Sequence, residues 1–424
     1  MGLLKVKPLG AIGEVGRSAI LVETEDRRIL LDYGIKLRPK QSPLFPPEVE
    51  DVDAVLLTHA HLDHSGALPL LFRRKKAPVV YGLDITRDFI ELLLYDSIKV
   101  AKKRGYQIGY GSQEIKRLMR NFRPIEYGVP FKIGSVEVIP FDAGHIPGSA
   151  MYYLRKDGTS LLYTGDFKLR KTRLSRGAER DLPEVDLLIT ECTYSQREHP
   201  SRKGQEKLLR EVVKDTINRG GSAIIAGFAI ARLNEIAMIL SAAGMRNLFL
   251  DGMARAGTEI LLSYPHRLRD DKEFEFSLRN LRMVENWKVR ENIVKRPSVV
   301  LTTSGMLEGG PVYFYLERKS EDPISSLTLT GYQIEGTEGR RLLQEGEIYI
   351  DGERRTIEMR VNQLDFSSHV GRSGLFEFVR NVTPKQVLPI HGEETDKFGE
   401  ELRELVGVDV VLPVLEEEIN ISSS

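Results

Sequence analysis

Short apolar runs broken by turns fill the chain from Lys5 to about Glu191. The runs SAILVE, RILLDYG, AVLLTHA, PVVYG, VEVIPFDAG, MYYLRK, SLLYTGD and DLLITE have strand length and end on turn residues. Between them, Ile85 to Arg104 places apolar residues at helical spacing, which predicts one long helix. Strands mixed with helices predict sheets covered by helices. From about Gln205 to Leu343 the rhythm becomes α/β alternation. GQEKLLREVVKDTIN, ARLNEIAMILSAAG and PVYFYLERK read as helices, and SAIIAGF, NLFLDG, SVVLTTSG and SLTLTG read as strands. That stretch fits a separate parallel-sheet domain. From about Ser367 the chain returns to a helix, GLFEFVRN, and a strand, QVLPIHG.

Length agrees with two domains, because 424 residues exceed the usual size of one hydrophobic core. A hydrophobic content of 41% with 29% charged residues describes a soluble folded chain. The N-terminus lacks the basic start and apolar core of a signal peptide. No apolar run is long enough for a membrane span, so no membrane partner is expected. The single cysteine, Cys192, suits a reducing cytoplasm, the expected location. Lys+Arg and Asp+Glu each total 61, so the formal net charge is zero. This argues against a large sequence-independent nucleic-acid surface while leaving room for a local basic groove. The basic runs Arg73-Arg74-Lys75-Lys76 and Lys99 to Arg104 read most simply as solvated helix faces. His199 and His266 lie in polar loops and read as surface residues.

The chemistry concentrates after the strand AVLLT, where His59-Ala60-His61-Leu62-Asp63-His64 holds three of eight histidines. A strand ending in a tight turn aims such side chains at one point. Imidazoles with a carboxylate are the ligands zinc takes, at about 2.0–2.2 Å. A histidine-rich surface loop is the bland alternative. Three more strands end in a ligand type: VIPFDAG before His145, LLYTG before Asp166 and QVLPI before His391. A carboxylate such as Asp166 can bridge two metals. A two-metal site about 3.5–4 Å across suits in-line displacement at phosphorus and yields hydroxide near neutral pH. The leaving alkoxide still needs a proton, so a further acid is expected beside the metals.

These residues resemble the β-CASP branch of the metallo-β-lactamase superfamily over essentially the whole chain. The signature THAHLDHSGALP spans residues 58 to 69, with Asp32 in ILLDYG, His145 and Asp166 in support. Glu191 in LLITECTY, His369 in FSSHVGRSGL and His391 in PIHGEE look like the three β-CASP motifs. Further strings, among them DAGHIPGSAMYYL, TTSGMLEGGP and GYQIEGTEGR, resemble the archaeal and bacterial relatives of the nuclease subunit of the cleavage and polyadenylation specificity factor. The form resembled is the one without an N-terminal RNA-binding (KH) module.

The resemblance implies an α/β fold: a metallo-β-lactamase αββα sandwich, residues 1–196 and 367–424, with an inserted α/β β-CASP domain, residues 197–366, as a lid over the site. It implies that His59, His61, His145 and Asp166 hold one Zn2+ ion. Asp63, His64, Asp166 and His391 would hold a second, with Asp32 orienting a ligand histidine. It makes His369 the general acid, with Glu191 hydrogen-bonded to it, so that Asp63, His369 and Glu191 carry the catalysis. Two departures bear on substrate grip: Gly371 stands where the family often has aspartate, and Ala231 and Asn234 replace a glycine and a glutamine. Ser304, Gly305 and Arg232 are candidate RNA contacts, since glycines follow a strand there and Pro311 suits a first helical turn.

The expected activity is zinc-dependent hydrolysis of single-stranded RNA, leaving 3′-hydroxyl and 5′-phosphate ends, in RNA 3′-end processing, maturation or decay. An endonuclease is favoured over a 5′-to-3′ exonuclease. A scaffold in an RNA-processing or transcription-termination complex, with partner-dependent activity, is the alternative, and a homodimer or complex partners are compatible with either. A small-ester hydrolase is disfavoured, because such a substrate needs neither the insertion nor His369. The tail Val408 to Ile421 fits an edge strand for a neighbour or the last strand of its own sheet.

Overall fold

A computed structural model describes residues 4–421. The chain divides into two compact units, Met1–Lys171 with Arg176–Glu198 and Ser368–Ser424, and Thr172–Ser175 with His199–Ser367. Among the described residues no helix is long and apolar enough to cross a membrane.

The first unit is built on two seven-stranded sheets. One runs in the order Ile419–Ile421, Leu4–Pro8, Ile20–Glu23, Arg28–Leu31, Ala54–Leu56, Val79–Leu83, Phe122–Ile125. The other runs Asp409–Val410, Gln386–Ile390, Leu187–Glu191, Thr159–Tyr163, Ala150–Lys156, Val136–Asp142, Phe131–Ile133. Alternation along each strand sends one set of side chains between the sheets. Val6, Val22, Ile29 and Leu56 there meet Val138, Tyr152, Leu161, Ile189 and Leu388 in one core. The opposite face of the second sheet, through Met151, Leu162, Leu188 and Val387, is covered by the helices Arg372–Val382 and Thr395–Leu405. The helix Asp84–Arg104 buries Ile85, Phe89, Ile90 and Leu94 and contacts the strands Val79–Leu83 and Phe122–Ile125. The layering is therefore helix, sheet, sheet, helix. The tail joins its own sheet: Ile419–Ile421 pairs antiparallel with Leu4–Pro8.

The second unit is built on a six-stranded sheet, ordered Leu281–Met283, Leu248–Asp251, Val299–Thr302, Ala223–Ala226, Ser326–Leu329, Arg360–Gln363, with a separate antiparallel pair of Glu347–Ile350 and Glu353–Thr356. Every pairing in the six-stranded sheet is parallel. Buried clusters lie on both faces, one around Phe249, Phe314 and Leu327 and one around Ile225, Ile236 and Leu301. A parallel sheet buried on both faces reads as continuous apolar runs, as SAIIAGF and SVVLTTSG do.

Candidate metal centre and acid–base pair

Strand ends position the site. Asp32 follows Arg28–Leu31, the His59 loop follows Ala54–Leu56, and Asp166 follows Thr159–Tyr163. Glu191 closes Leu187–Glu191, and His391 comes directly after Gln386–Ile390. The strands bearing Asp166, Glu191 and His391 are parallel neighbours, so their carboxyl ends emerge side by side. Backbone bonds then fix the loops. Ser18 N donates to Asp63 O at 2.9 Å, Tyr33 N to His64 O at 2.8 Å, and His391 N to Ala11 O at 2.7 Å. Gly34 passes so near this loop that an added Cβ would stand 1.7 Å from Asp63 O. No larger residue fits there.

Two donor sets result. His59, His61, His145 and Asp166 bring one ligand atom each within 4.8 Å of one another, and Asp63, His64, Asp166 and His391 do the same. In the first set His61 Nδ1 lies 3.1 Å from both His59 Nε2 and His145 Nε2. Asp166 Oδ2 stands 3.5 Å from His59 Nε2 and 3.7 Å from His145 Nε2. In the second set Asp166 Oδ1 lies 3.2 Å from His64 Nε2 and 3.6 Å from His391 Nε2. His391 Nε2 is also 3.7 Å from Asp63 Oδ2. Ligands about 2.1 Å from a cation at the corners of a tetrahedron are about 3.4 Å apart, which is the spacing seen here. Two buried atoms aimed into the second set, Asp166 Oδ1 and His391 Nε2, make no hydrogen bond among the described residues. A buried polar atom without a partner costs about 1–3 kcal/mol, and a cation would remove that cost. The residues therefore fit a divalent metal, with Asp166 common to both sets.

Outer bonds orient the donors. Asp32 is fully buried; it accepts from Thr58 N, Thr58 Oγ1 and Tyr163 OH, each at 2.8 Å, and lies 2.6 Å from His64 Nδ1. His64 is thus held with Nε2 toward Asp166. His145 Nδ1 donates to Ser368 O at 2.9 Å, leaving Nε2 for the site. Ser18 Oγ lies 2.7 Å from His391 Nδ1. Sequence reasoning found Asp32 but missed Ser18, Thr58 and Tyr163. Thr58 opens the His59 signature but its side-chain type gave no role, and Ser18 and Tyr163 are common residues whose partners lie 373 and 131 positions away, which no spacing signals.

Beside the donors, His369 Nδ1 is 3.0 Å from Glu191 Oε2 and 3.1 Å from Oε1, while Nε2 is 3.8 Å from Asp166 Oδ2. Phe167 N donates to Glu191 Oε1 at 2.9 Å and fixes the carboxylate. Burial opposes a charged His369, but Glu191 foremost, then Asp166, outweigh it and push its pKa up to about 9. Burial likewise opposes ionisation of Asp166, yet His64, His391 and His369 hold its carboxyl well below the usual range. Burial, reinforced by neighbouring histidines, drives His59 and His145 well below the ordinary imidazole value, which keeps them neutral. Neutral imidazole is the form that binds a cation.

The other candidates lie in the second unit. Arg232 is buried, with a nitrogen donating to Thr330 O at 2.6 Å and Phe228 under its guanidinium. Ser304 Oγ accepts from Glu308 N at 2.8 Å, and Gly305 O accepts from Gln333 Nε2 at 3.1 Å. The helix Pro311–Lys319 does begin at Pro311. His266 is exposed, whereas His199 is half-buried with Nδ1 3.0 Å from Asp365, so its polar surroundings hid a structural pair.

A sandwich of this layering with paired His/Asp donor sets at its strand ends defines a metallo-hydrolase. Family comparison agrees: residues 12–191 match the metallo-beta-lactamase superfamily, 233–342 the Beta-Casp domain, and 354–413 the Zn-dependent metallo-hydrolase RNA specificity domain. The chain is 38% identical to "Probable RNase MJ4" of Methanocaldococcus jannaschii, over 97% of this chain and 99% of that one. It is 33% identical to "RNase aCSPSF2" of Saccharolobus solfataricus, over 98% and 85%. "Transcription termination factor FttA" of Methanosarcina mazei is 36% identical over 92% of this chain and 67% of its own length. The fold also matches a solved protein of unknown function from Enterococcus faecalis, with a TM-score of 0.66 at 17% identity, covering 99% of this chain and 100% of that one. The chain belongs to the β-CASP ribonuclease family of the metallo-β-lactamase superfamily.

Proposed function

We propose that the protein is a zinc-dependent endoribonuclease that hydrolyses single-stranded RNA to leave 3′-hydroxyl and 5′-phosphate ends. The observation that carries this reading is the Glu191–His369 pair set against Asp166, the carboxylate common to both donor sets. In this reading His59, His61, His145 and Asp166 hold one zinc ion, and Asp63, His64, Asp166 and His391 hold the other. Bound zinc supplies Lewis acidity, lowering the pKa of a bound water toward about 7 and offsetting charge on the phosphoryl oxygens. Glu191 holds Nδ1 of His369 protonated and keeps the imidazolium populated at neutral pH. As a water oxygen bonds to phosphorus and the bond to the 3′-oxygen breaks, the Nε2 proton goes to that leaving oxygen, and His369 is left neutral. Asp32, Ser18, Thr58 and Ser368 keep the imidazoles in the tautomers this needs. Relatives named "Transcription termination factor FttA" support a setting in RNA 3′-end formation.

The test uses one unstructured sequence as RNA and as DNA, labelled at either end, with zinc and with His391→Ala as control. Internal RNA fragments absent in the variant are expected. Release of 5′ mononucleotides would make the protein an exonuclease, and equal cutting of DNA would refute RNA selectivity. No cutting with zinc bound would favour a scaffold or a partner-dependent nuclease.

A further inference from the structure

Formal neutrality conceals a local excess of charge. Residues 73–123 carry 13 Lys and Arg against 5 Asp and Glu, a net of +8 that the rest of the chain offsets with −8. The two basic runs that read separately as solvated helix faces meet in the fold. Arg73–Lys76 follows the 3-10 turn Leu68–Phe72, which packs on the helix Ser112–Arg120. Arg117 of that helix donates to the carbonyls of Phe72 and, at 2.7 Å, Arg74. Arg73 and Lys102, one from each run, line the same open groove of about 570 Å³ with Tyr106, Gln107, Tyr110 and one carboxylate, Glu114, which accepts from Gly111 N at 2.9 Å.

Some of these charges are answered: Arg74 pairs with Glu50 at 2.8 Å and Lys76 with Asp53 at 3.0 Å. Arg73, Lys75, Lys102, Lys103 and Lys116 are exposed and form no ion pair with a described residue. Clustering unpaired like charges costs free energy unless an anion relieves it, so the cluster points to a polyanion. Two half-buried tyrosines in the groove favour a nucleic acid over an acidic protein, since bases stack on aromatic rings and carboxylates do not. Position adds a reason. The helix Asp84–Arg104 begins beside the segment that follows His145, where Thr86 Oγ1 donates to Gly148 O at 2.8 Å, and ends in the basic run. Its 21 residues span about 31 Å, so the groove lies well outside the bond-cutting site.

We propose that this face is a second RNA-binding surface, holding the phosphate backbone of the substrate beyond the segment being cut. It rests on the ribonuclease reading and adds a length dependence to it: long RNA is held by centre and groove, short RNA by the centre alone.

The test is the variant Arg73→Ser, Lys102→Ser, Lys103→Ser in the full chain. Binding is followed by fluorescence anisotropy with unstructured RNAs of about 8 and about 30 nucleotides, in a His369→Ala background that suppresses cutting. Three lost phosphate contacts at about 0.7 each should lower the slope of log affinity against log salt by about 2 for the long RNA. The parent should therefore lose about 16-fold more affinity than the variant between about 50 and 200 mM salt. The short RNA should bind alike in both. With His369 restored, kcat/KM on the short RNA should be unchanged. An unaltered slope and affinity for the long RNA would overturn the proposal. So would polyglutamate competing as well as RNA for the groove, which would indicate an acidic protein partner. If the unmodified protein cuts no RNA, the ribonuclease reading fails, while the anisotropy still reports on the surface.

Discussion

Replacing Glu191 by Gln tests the acid–base reading most directly. The side chain keeps its shape, and its amide oxygen can still accept from Phe167 N, which now donates to Oε1 at 2.9 Å. What changes is the group facing His369 Nδ1: an anion at 3.0 Å becomes an amide N–H, which asks that nitrogen to accept instead of donate. Hydrogen bonds to charged groups contribute about 1.5–3 kcal/mol. With about 1.36 kcal/mol per pKa unit, the loss lowers His369 by about one to two units. Burial, the largest influence on the group, already opposes the charged form, and the variant loses the foremost group that answers it. An acid must be protonated to act, so a pKa raised to about 9 preserves activity at low pH and loses it as pH rises through that value. The variant should lose activity between about pH 7 and 8. The assay is the pH profile of kcat/KM on end-labelled RNA at saturating zinc, with bound metal measured at each pH. Asp166 also supports the imidazolium, but cations share its charge in the loaded protein, so Glu191 should dominate the limb. A profile that falls in rate without moving its alkaline limb would refute this role for Glu191.

Three further outcomes follow from the same geometry. Asp166 belongs to both donor sets, so Asp166→Asn should reduce bound zinc from two equivalents toward none; retention of one tightly bound equivalent, by elemental analysis, would rule out a bridging role. Ser18→Ala removes the 2.7 Å partner of His391 Nδ1 and should weaken one zinc site by about 10–100-fold while sparing the other, read by chelator competition. Ala231 has φ +64° and ψ −49°, a conformation L-residues avoid at a cost of about 1–3 kcal/mol. Ala231→Gly should therefore stabilise its unit by about 1 kcal/mol after the entropy cost of glycine, raising its Tm by about 2–4 °C; a lower Tm would contradict the strain.

The sequence exposes the donors because metal chemistry limits residue type and strands limit placement. His59, His61, Asp63 and His64 are close in the chain, and His145, Asp166 and His391 each end an apolar run, so pattern and ligand type coincide. Their supports are less visible. Ser18 reaches His391 across 373 positions, and Gly34 matters only because Asp63 O passes where its Cβ would be. The long helix is legible as Ile85 to Arg104 and observed as Asp84–Arg104, since its apolar spacing is sustained. The short helix Ser112–Arg120 is not, because its burial rests on only Ile115, Leu118 and Met119 among charges.

That short helix also explains why the basic runs looked inert. Read along the chain, Arg73–Lys76 and Lys99–Arg104 are separate solvated ends within a neutral total, and neither implies a ligand. Neutrality, however, is a sum over 424 residues, while screening confines an exposed charge to about 8–10 Å. Beside the cluster, Glu50 and Asp53 answer only Arg74 and Lys76, so the count balances over the chain without each exposed cation having a partner. Folding places one run in the groove with the other, through Arg73 and Lys102, and the helix Ser112–Arg120 packs beside them. The counterions must then be supplied from outside, so the same residues that add nothing to a composition become the argument for a binding surface.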